Sequence, residues 1–212
     1  MGRPVEHDEA TGVALLDAAE AILAEEGPDA ISVRRVANAV NVTTRAVYTV
    51  FGNKDGLLAE LAARGHRILG QNLVKVPLTD NVQEDLLNLG YQAFRTFATS
   101  RPHLYRLAFE RITTVASAQP KVAEASRVGV KTLIDHIKRG QDAGVLRQGD
   151  PAQLALIYHA MTVGLVNWEL AHPSASAMGR RNGKLNKVSV ENMWREGLAA
   201  VIRGLAPADA VV

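Results

Sequence analysis

Thr43, Thr44, Arg45, Ala46, Tyr48 and Thr49 crowd one short run, NVTTRAVYTVFGNKDGL, at residues 41–57. Their chemistry suits a nucleic-acid groove. An arginine fork fits the O6 and N7 of guanine, a threonine hydroxyl can donate or accept, and an alanine methyl can meet the methyl of thymine. Tyr48, Ser32, Arg34 and Lys54 are matched to phosphate oxygens, which fix register without reading sequence. Such a surface must also be free of carboxylates. From Ala30 to Lys54 there are four basic residues (Arg34, Arg35, Arg45, Lys54) and no Asp or Glu, whereas Glu6, Asp8, Glu9, Asp17, Glu20, Glu25, Glu26 and Asp29 precede it. The whole chain is only +2, from 24 Lys+Arg against 22 Asp+Glu, so any attraction to phosphate has to be local.

The elements that position these residues read as helices throughout. Val13, Leu16, Ala19, Ile22 and Leu23 recur at three- and four-residue spacing, and Gly27-Pro28 stops that helix near Glu26. Ser32 caps a second helix, Val33 to Val40, with Val36, Ala37 and Val40 inward. Asn41 stands where a tight turn needs a left-handed residue. Thr43 caps a third helix ending near Phe51, with Val47 and Phe51 inward, and Asn53 caps a fourth that runs toward Pro77. Two short helices joined by a turn, the second showing polar residues outward, make a helix-turn-helix. Too short to persist by propensity, the pair must be held by burial, with Val42 plugging the turn and Val36, Val40, Val47 and Phe51 forming the shared core.

Segments 81–99, 102–112, 120–143 and 151–171 continue the helical spacing, and Asp150-Pro151 is an N-cap followed by a first-turn proline. The stretch HPSASAMGRRNGKLNK (172–187) is expected to be a mobile loop, and a last helix runs from about Ser189 to Arg203. The fold class expected is all-α. No apolar run approaches the roughly 18 residues of a membrane span, and no signal peptide is visible in MGRPVEHDEATG. The absence of cysteine excludes disulfides and thiolate metal sites and favours a cytosolic home. No nucleophile motif, glycine-rich phosphate loop or Ser/His/Asp arrangement suggests an enzyme.

The run ISVRRVANAVNVTTRAVYTVFGNKDGLLAEL (31–61), with LLDAAEAILAEEG (15–27) ahead of it, resembles the DNA-binding region of the tetracycline-repressor (TetR) family of bacterial transcription regulators. The match rests on Val36-Ala37, Val42, Val47-Tyr48, Phe51, and Asn53-Lys54 leading into Leu57-Leu58. The resemblance implies phosphate contacts from Tyr48 and Lys54 and base contacts from 43–49. It also implies a cytoplasmic bacterial protein that binds a double-stranded operator as a homodimer, most often as a repressor released by a small molecule. The domains expected are then an N-terminal helix-turn-helix domain at 8–56 and, joined by a long helix, a helical effector-binding and dimerisation domain at 57–206. Two positions depart from the pattern: Asn41 stands where Gly is usual in the turn, and Val50 removes a polar contact often made two residues after the tyrosine.

Family members dimerise through C-terminal helices, and two segments here have that character. LALIYHAMTVGLVNWEL (154–170) is apolar almost all round, offering Leu156, Met161, Leu165 and Trp168. The last helix adds Val190, Met193, Trp194, Leu198 and Val201. The alternative is that both helices are core of a monomer. Pro102, Tyr105, Arg106, Phe109, His159 and Gly164 further resemble the WHG-type C-terminal domain of one subgroup. A largely apolar effector pocket there would draw on Phe94, Phe97, His103, Tyr105, Phe109, His136, His159 and Met161. The histidines lack ligand spacing, so neither a metal nor a cofactor is expected. The rival function is an all-α small-molecule-binding or interaction protein without functional DNA binding.

Overall fold

The computed structural model describes residues 6–110, 119–173 and 190–208, and every regular element among them is helical. Helix α1 (Glu6–Glu26) buries Leu15, Ala19, Ile22 and Leu23, one stripe at helical spacing, while Val13 is 55% exposed and lies off it. Gly27 ends α1 with φ 82, and its amide donates to the Leu23 carbonyl at 3.0 Å. A 3-10 turn, Pro28–Ala30, leads to α2 (Val33–Ala39), whose cap Ser32 accepts from the Arg35 amide at 3.2 Å. Val36 and Ala37 are buried, whereas Val40, expected inward, is only partly covered because the helix has already unwound there.

The turn after α2 is closed by two backbone bonds. The Val42 amide donates to Ala37 at 3.0 Å and the Asn41 amide to Asn38 at 3.2 Å, with Asn41 at φ 56. This is a Schellman closure in which asparagine takes the left-handed place usually given to glycine. Helix α3 (Thr44–Phe51) follows from its Thr43 cap and stops at Gly52, φ 77. Helix α4 (Lys54–Val74) starts at once, with the Gly56 amide donating to the Asn53 side chain at 2.8 Å.

Beyond α4 come α5 (Val82–Asn88), a π turn (Leu89–Arg95), α6 (Thr96–Ser100), α7 (Pro102–Tyr105) and a second π turn (Arg106–Glu110). Helices α8 (Pro120–Asp142), α9 (Pro151–Ala171) and α10 (Val190–Gly204) complete the elements among the described residues. The expected helices at 81–99 and 102–112 are therefore not uniform, since both change to π pitch partway. The loop at 172–187 falls almost wholly outside the described residues, as do Ser189 and the end of the 102–112 segment.

The residues pack into two compact units. The first runs to Ile68 and takes in Arg101–Arg127 as well. It holds α1 to α3, most of α4, α7, the second π turn and the start of α8. Small residues let its helices close in: Ala59, Ala62, Ala63, Ala108, Val122 and Ala125 form one cluster with Phe109 packed against it. Glu20 on α1 pairs with Arg64 at 3.1 Å and with Arg101, and Asp17 takes Arg64 at 2.5 Å. The expected domain boundary lies at 56/57, whereas packing carries the first unit on to Ile68 and adds residues 101–127 to it.

The second unit comprises Leu69–Ser100 and the chain from Val128 onward. Buried Asp85 ties it together, accepting from Thr79 through both amide and hydroxyl at 2.8 Å and from Arg139 at 2.5 Å. Burial alone would raise the Asp85 carboxyl, but the Arg139 and Thr79 hydrogen bonds outweigh it and hold it below the ordinary value. On α9, Glu169 takes both arms of Arg95 at 2.9 and 2.7 Å and the Trp194 indole at 2.7 Å. Helix α9 is long and apolar enough to cross a membrane by length and composition, which counting unbroken apolar runs passes over. It nonetheless buries Leu154, Ala155, Tyr158, Thr162 and Val166 and packs on α10.

Candidate nucleic-acid interface

Helix α3 has two sides with different occupations. Val47 is 1% exposed and Phe51 is also buried, so α3 is anchored against α1 and α2. On the other side Thr44, Arg45, Tyr48 and Thr49 are exposed, Tyr48 at 52%, and Ala46 is half-buried. An aromatic that size left in water beside a buried valine is turned outward by the helix period, not left over from the core. The Arg45 guanidinium and the Thr44 hydroxyl have no partner among the described residues, so both are free to meet a base edge.

The other two threonines already have tasks. Thr43 caps the helix, its oxygen accepting from the Ala46 amide at 3.4 Å, and Thr49 donates its hydroxyl to the Arg45 carbonyl at 2.9 Å. Thr49 thus presents a methyl and an acceptor lone pair outward, with its proton spent. Ser32 is likewise occupied as the cap of α2 while remaining exposed.

The basic residues divide too. Arg35 forms a two-armed ion pair with Glu26 at the end of α1, one contact at 2.8 Å. That hydrogen bond lowers the Glu26 carboxyl and raises the Arg35 guanidinium. Arg34, Arg45 and Lys54, by contrast, are exposed and make no ion pair among the described residues. The acid-free window therefore delivers three unneutralised cations, not four. Lys54 sits at the first turn of α4, where unpaired amides add their own partial positive charge.

Sequence reasoning missed Glu26 because the two residues stand nine apart on different helices, which no helical spacing reports. It also missed why residue 56 must be glycine. An added Cβ would stand 1.9 Å from the Phe51 carbonyl oxygen, where the first turn of α4 passes the last turn of α3. Gly56 thereby sets the approach that places Lys54 beside α3.

The effector residues read from sequence fall in both units. His103, Tyr105 and Phe109 belong to the first, with Tyr105 stacked on Phe109 at 5.4 Å and His66 at 4.6 Å from the same ring. Phe94, Phe97, His136, His159 and Met161 belong to the second. There Phe94 meets His159 edge-on at 5.4 Å, and burial lowers the His159 pKa. Buried His136 bonds the Thr132 carbonyl through Nδ1 at 2.9 Å, and its Nε2 has no partner among the described residues. Met161 differs from the others, being 42% exposed.

The self-association residues also separate. Leu156, Met161 and Trp168 are exposed, Leu165 and Met193 are half-buried, and Val190, Trp194, Leu198 and Val201 are covered by their own chain. The reason is that α10 spends its apolar stripe on α5 and α9, whereas α9 leaves Leu156, Met161 and Trp168 uncovered.

The same arrangement recurs in known proteins. The model of the bacterial regulatory proteins of the tetR family matches residues 15–61, and that of the tetracyclin repressor-like C-terminal domain matches residues 88–183, together more than half the chain. The uncharacterized HTH-type transcriptional regulator YvkB of Bacillus subtilis (strain 168) is 23% identical over 154 residues, covering 73% of this chain and 80% of its own. A protein of unknown function from Rhodococcus sp. RHA1 superposes with a TM-score of 0.73 at 24% identity, covering 92% of this chain and 95% of the other. The TetR family transcriptional regulator PfmR from Thermus thermophilus does so with a TM-score of 0.61 at 20% identity, covering 91% and 99%.

Proposed function

The chain belongs to the tetR family of bacterial regulatory proteins, and from that premise we propose that it is a repressor that binds a palindromic operator as a homodimer inside the bacterial cell and leaves it when a small molecule binds the second unit. The family is one of DNA-binding transcription regulators and not of enzymes. The observation that carries the proposal is the outer face of α3, where Thr44, Arg45 and Tyr48 stand exposed between the unneutralised Arg34 and Lys54. Arg45 reads a guanine in the major groove, Thr44 and Thr49 flank it, and Tyr48, Lys54, Arg34 and Ser32 hold the phosphates.

Two copies of α3 would enter successive major grooves about 34–36 Å apart. The second copy docks on the uncovered face of α9, through Leu156, Met161 and Trp168. A largely apolar effector that favours one spacing of the two recognition helices shifts the population away from the DNA-binding form. Binding to a duplex selected from a random pool, followed against salt, tests the reading. Four basic contacts per dimer (Arg34 and Lys54 twice) predict a slope of log affinity on log salt of about −4. A chain that binds no duplex at low salt would instead be a small-molecule-binding or interaction protein, and the proposal would fail.

A further inference from the structure

Val50 stands where a polar contact is usual, and its surroundings explain the exchange. Two residues apart on α3, Tyr48 and Val50 point about 160° away from one another round the helix. The tyrosine is exposed, while the valine is half-buried on the side of α1. There it meets Gly12, where an added Cβ would lie 3.3 Å from the Val50 Cγ1. Gly12 opens the stripe that continues through buried Leu15, Ala19 and Ile22, so its bare side belongs to the face of α1 that packs on α2 and α3. Inside a helix glycine is the least favourable residue after proline. The φ of Gly12 is not in the left-handed region, so its own backbone does not call for glycine. What the residue supplies is room for α3.

Val50 does not step aside easily. A valine in a helix holds one side-chain rotamer about 90% of the time, so a side chain on residue 12 presses on α3 as a whole. The next residue, Phe51, brings its carbonyl oxygen to the bare side of Gly56, where a Cβ would stand at 1.9 Å. The last turn of α3 is thus seated between two glycines, one on α1 and one on α4. We propose that Gly12 is a positioning residue for DNA recognition: by offering Val50 no side chain, it seats α3 at the tilt that turns Arg45 and Tyr48 to the duplex. The proposal rests on the DNA-binding reading above and assigns Gly12 no contact with DNA.

Full-length wild type, Gly12→Val, Val50→Ala and the double variant form a cycle that isolates the contact. Each is followed by affinity for the duplex selected with the wild-type protein and by thermal unfolding. Gly12→Val should bind about tenfold more weakly, within the range that losing a bidentate contact to a base costs. Val50→Ala opens the space that the new side chain needs, so in that background the same substitution should cost less than about threefold. Damage to the fold alone would weaken binding in step with the unfolding midpoint. Gly12→Ala separates the two, because alanine is the better helix former and should raise the midpoint while its Cβ weakens binding by about threefold. It also carries the test if Gly12→Val does not fold. A folded Gly12→Val with affinity within about twofold of wild type would overturn the proposal. So would an equal loss in both backgrounds, since the effect would then not pass through Val50. If the wild-type protein bound no duplex, the regulator reading would fall and the role of Gly12 with it, whereas the unfolding midpoints of the cycle would still report whether residues 12 and 50 touch.

Discussion

Replacing Gly56 by alanine should damage the protein out of proportion to one methyl group. The added Cβ would sit 1.9 Å from the Phe51 oxygen and 3.1 Å from its carbonyl carbon. Nonbonded carbon and oxygen atoms do not approach within about 3 Å, so a displacement of roughly 1 Å is required, and the obstacle is backbone that no rotamer change can move aside. Either the last turn of α3 or the first turn of α4 must shift, at a cost of about 3 kcal/mol, the upper end of what overpacking usually exacts. For a chain of this size that corresponds to a fall in melting temperature of about 6–12 °C. Because α3 and Lys54 are the parts displaced, duplex affinity at a temperature where the variant is still folded should drop at least tenfold. Thermal unfolding by circular dichroism and duplex titration at 20 °C would measure both. An unfolding midpoint within about 2 °C of wild type, with unchanged duplex affinity, would show that the α3–α4 approach does not require glycine.

Further consequences concern charge and assembly. Glu26→Gln frees Arg35 from its exposed pair, with little change in stability. The salt slope of duplex binding should steepen by about 1 for each protomer as Arg35 turns to phosphate, and an unchanged slope would mean that Arg35 lies out of reach. Leu156→Glu places a charge on the uncovered face of α9, where Leu156 is 65% exposed in the protomer. Losing that burial from two copies costs about 2–4 kcal/mol, or a 30- to 1,000-fold weaker dimer by sedimentation, with little change in protomer helicity. The Asp85 carboxyl, held below its ordinary value by Arg139 and Thr79, contributes stability that is full above the unfolded carboxylate pKa of about 3.9 and is lost as pH falls through the folded one. Unfolding midpoints should therefore fall steeply below about pH 4, and Asp85→Asn should be less stable at pH 7 yet flatter across that acid range.

Much of this was legible where the determining groups are neighbours in sequence. Ser32, Thr43, Asn53 and Asp150 each accept a backbone amide two or three residues ahead, and Asn41 takes the left-handed turn position, because caps and turns are local chemistry. Helical spacing also told which side of α3 is apolar. Spacing cannot say who covers an apolar side. Trp194 and Leu198, set down for a second copy, are instead enclosed by α5 and α9 of the same chain. Nor could the π turn at Leu89 be read, beside which the Tyr158 hydroxyl of α9 donates to the Leu86 carbonyl from 72 residues away. The neutralisation of Arg35 by Glu26 and the packing of residues 101–127 with the helix-turn-helix were hidden for the same reason: both depend on contacts that the chain makes only after turning back on itself.

Whether the exposed face of α3 reads DNA through Arg45 can be decided by one titration. Fluorescence anisotropy of a duplex selected with the wild-type protein would be compared with that of Arg45→Ala at several salt concentrations. The expected result is a loss of about 5- to 150-fold in affinity per half-site, the worth of one bidentate contact to guanine, with relaxed preference at a single base pair and a nearly parallel salt dependence. Equal affinity and equal base preference for the two proteins would contradict that role.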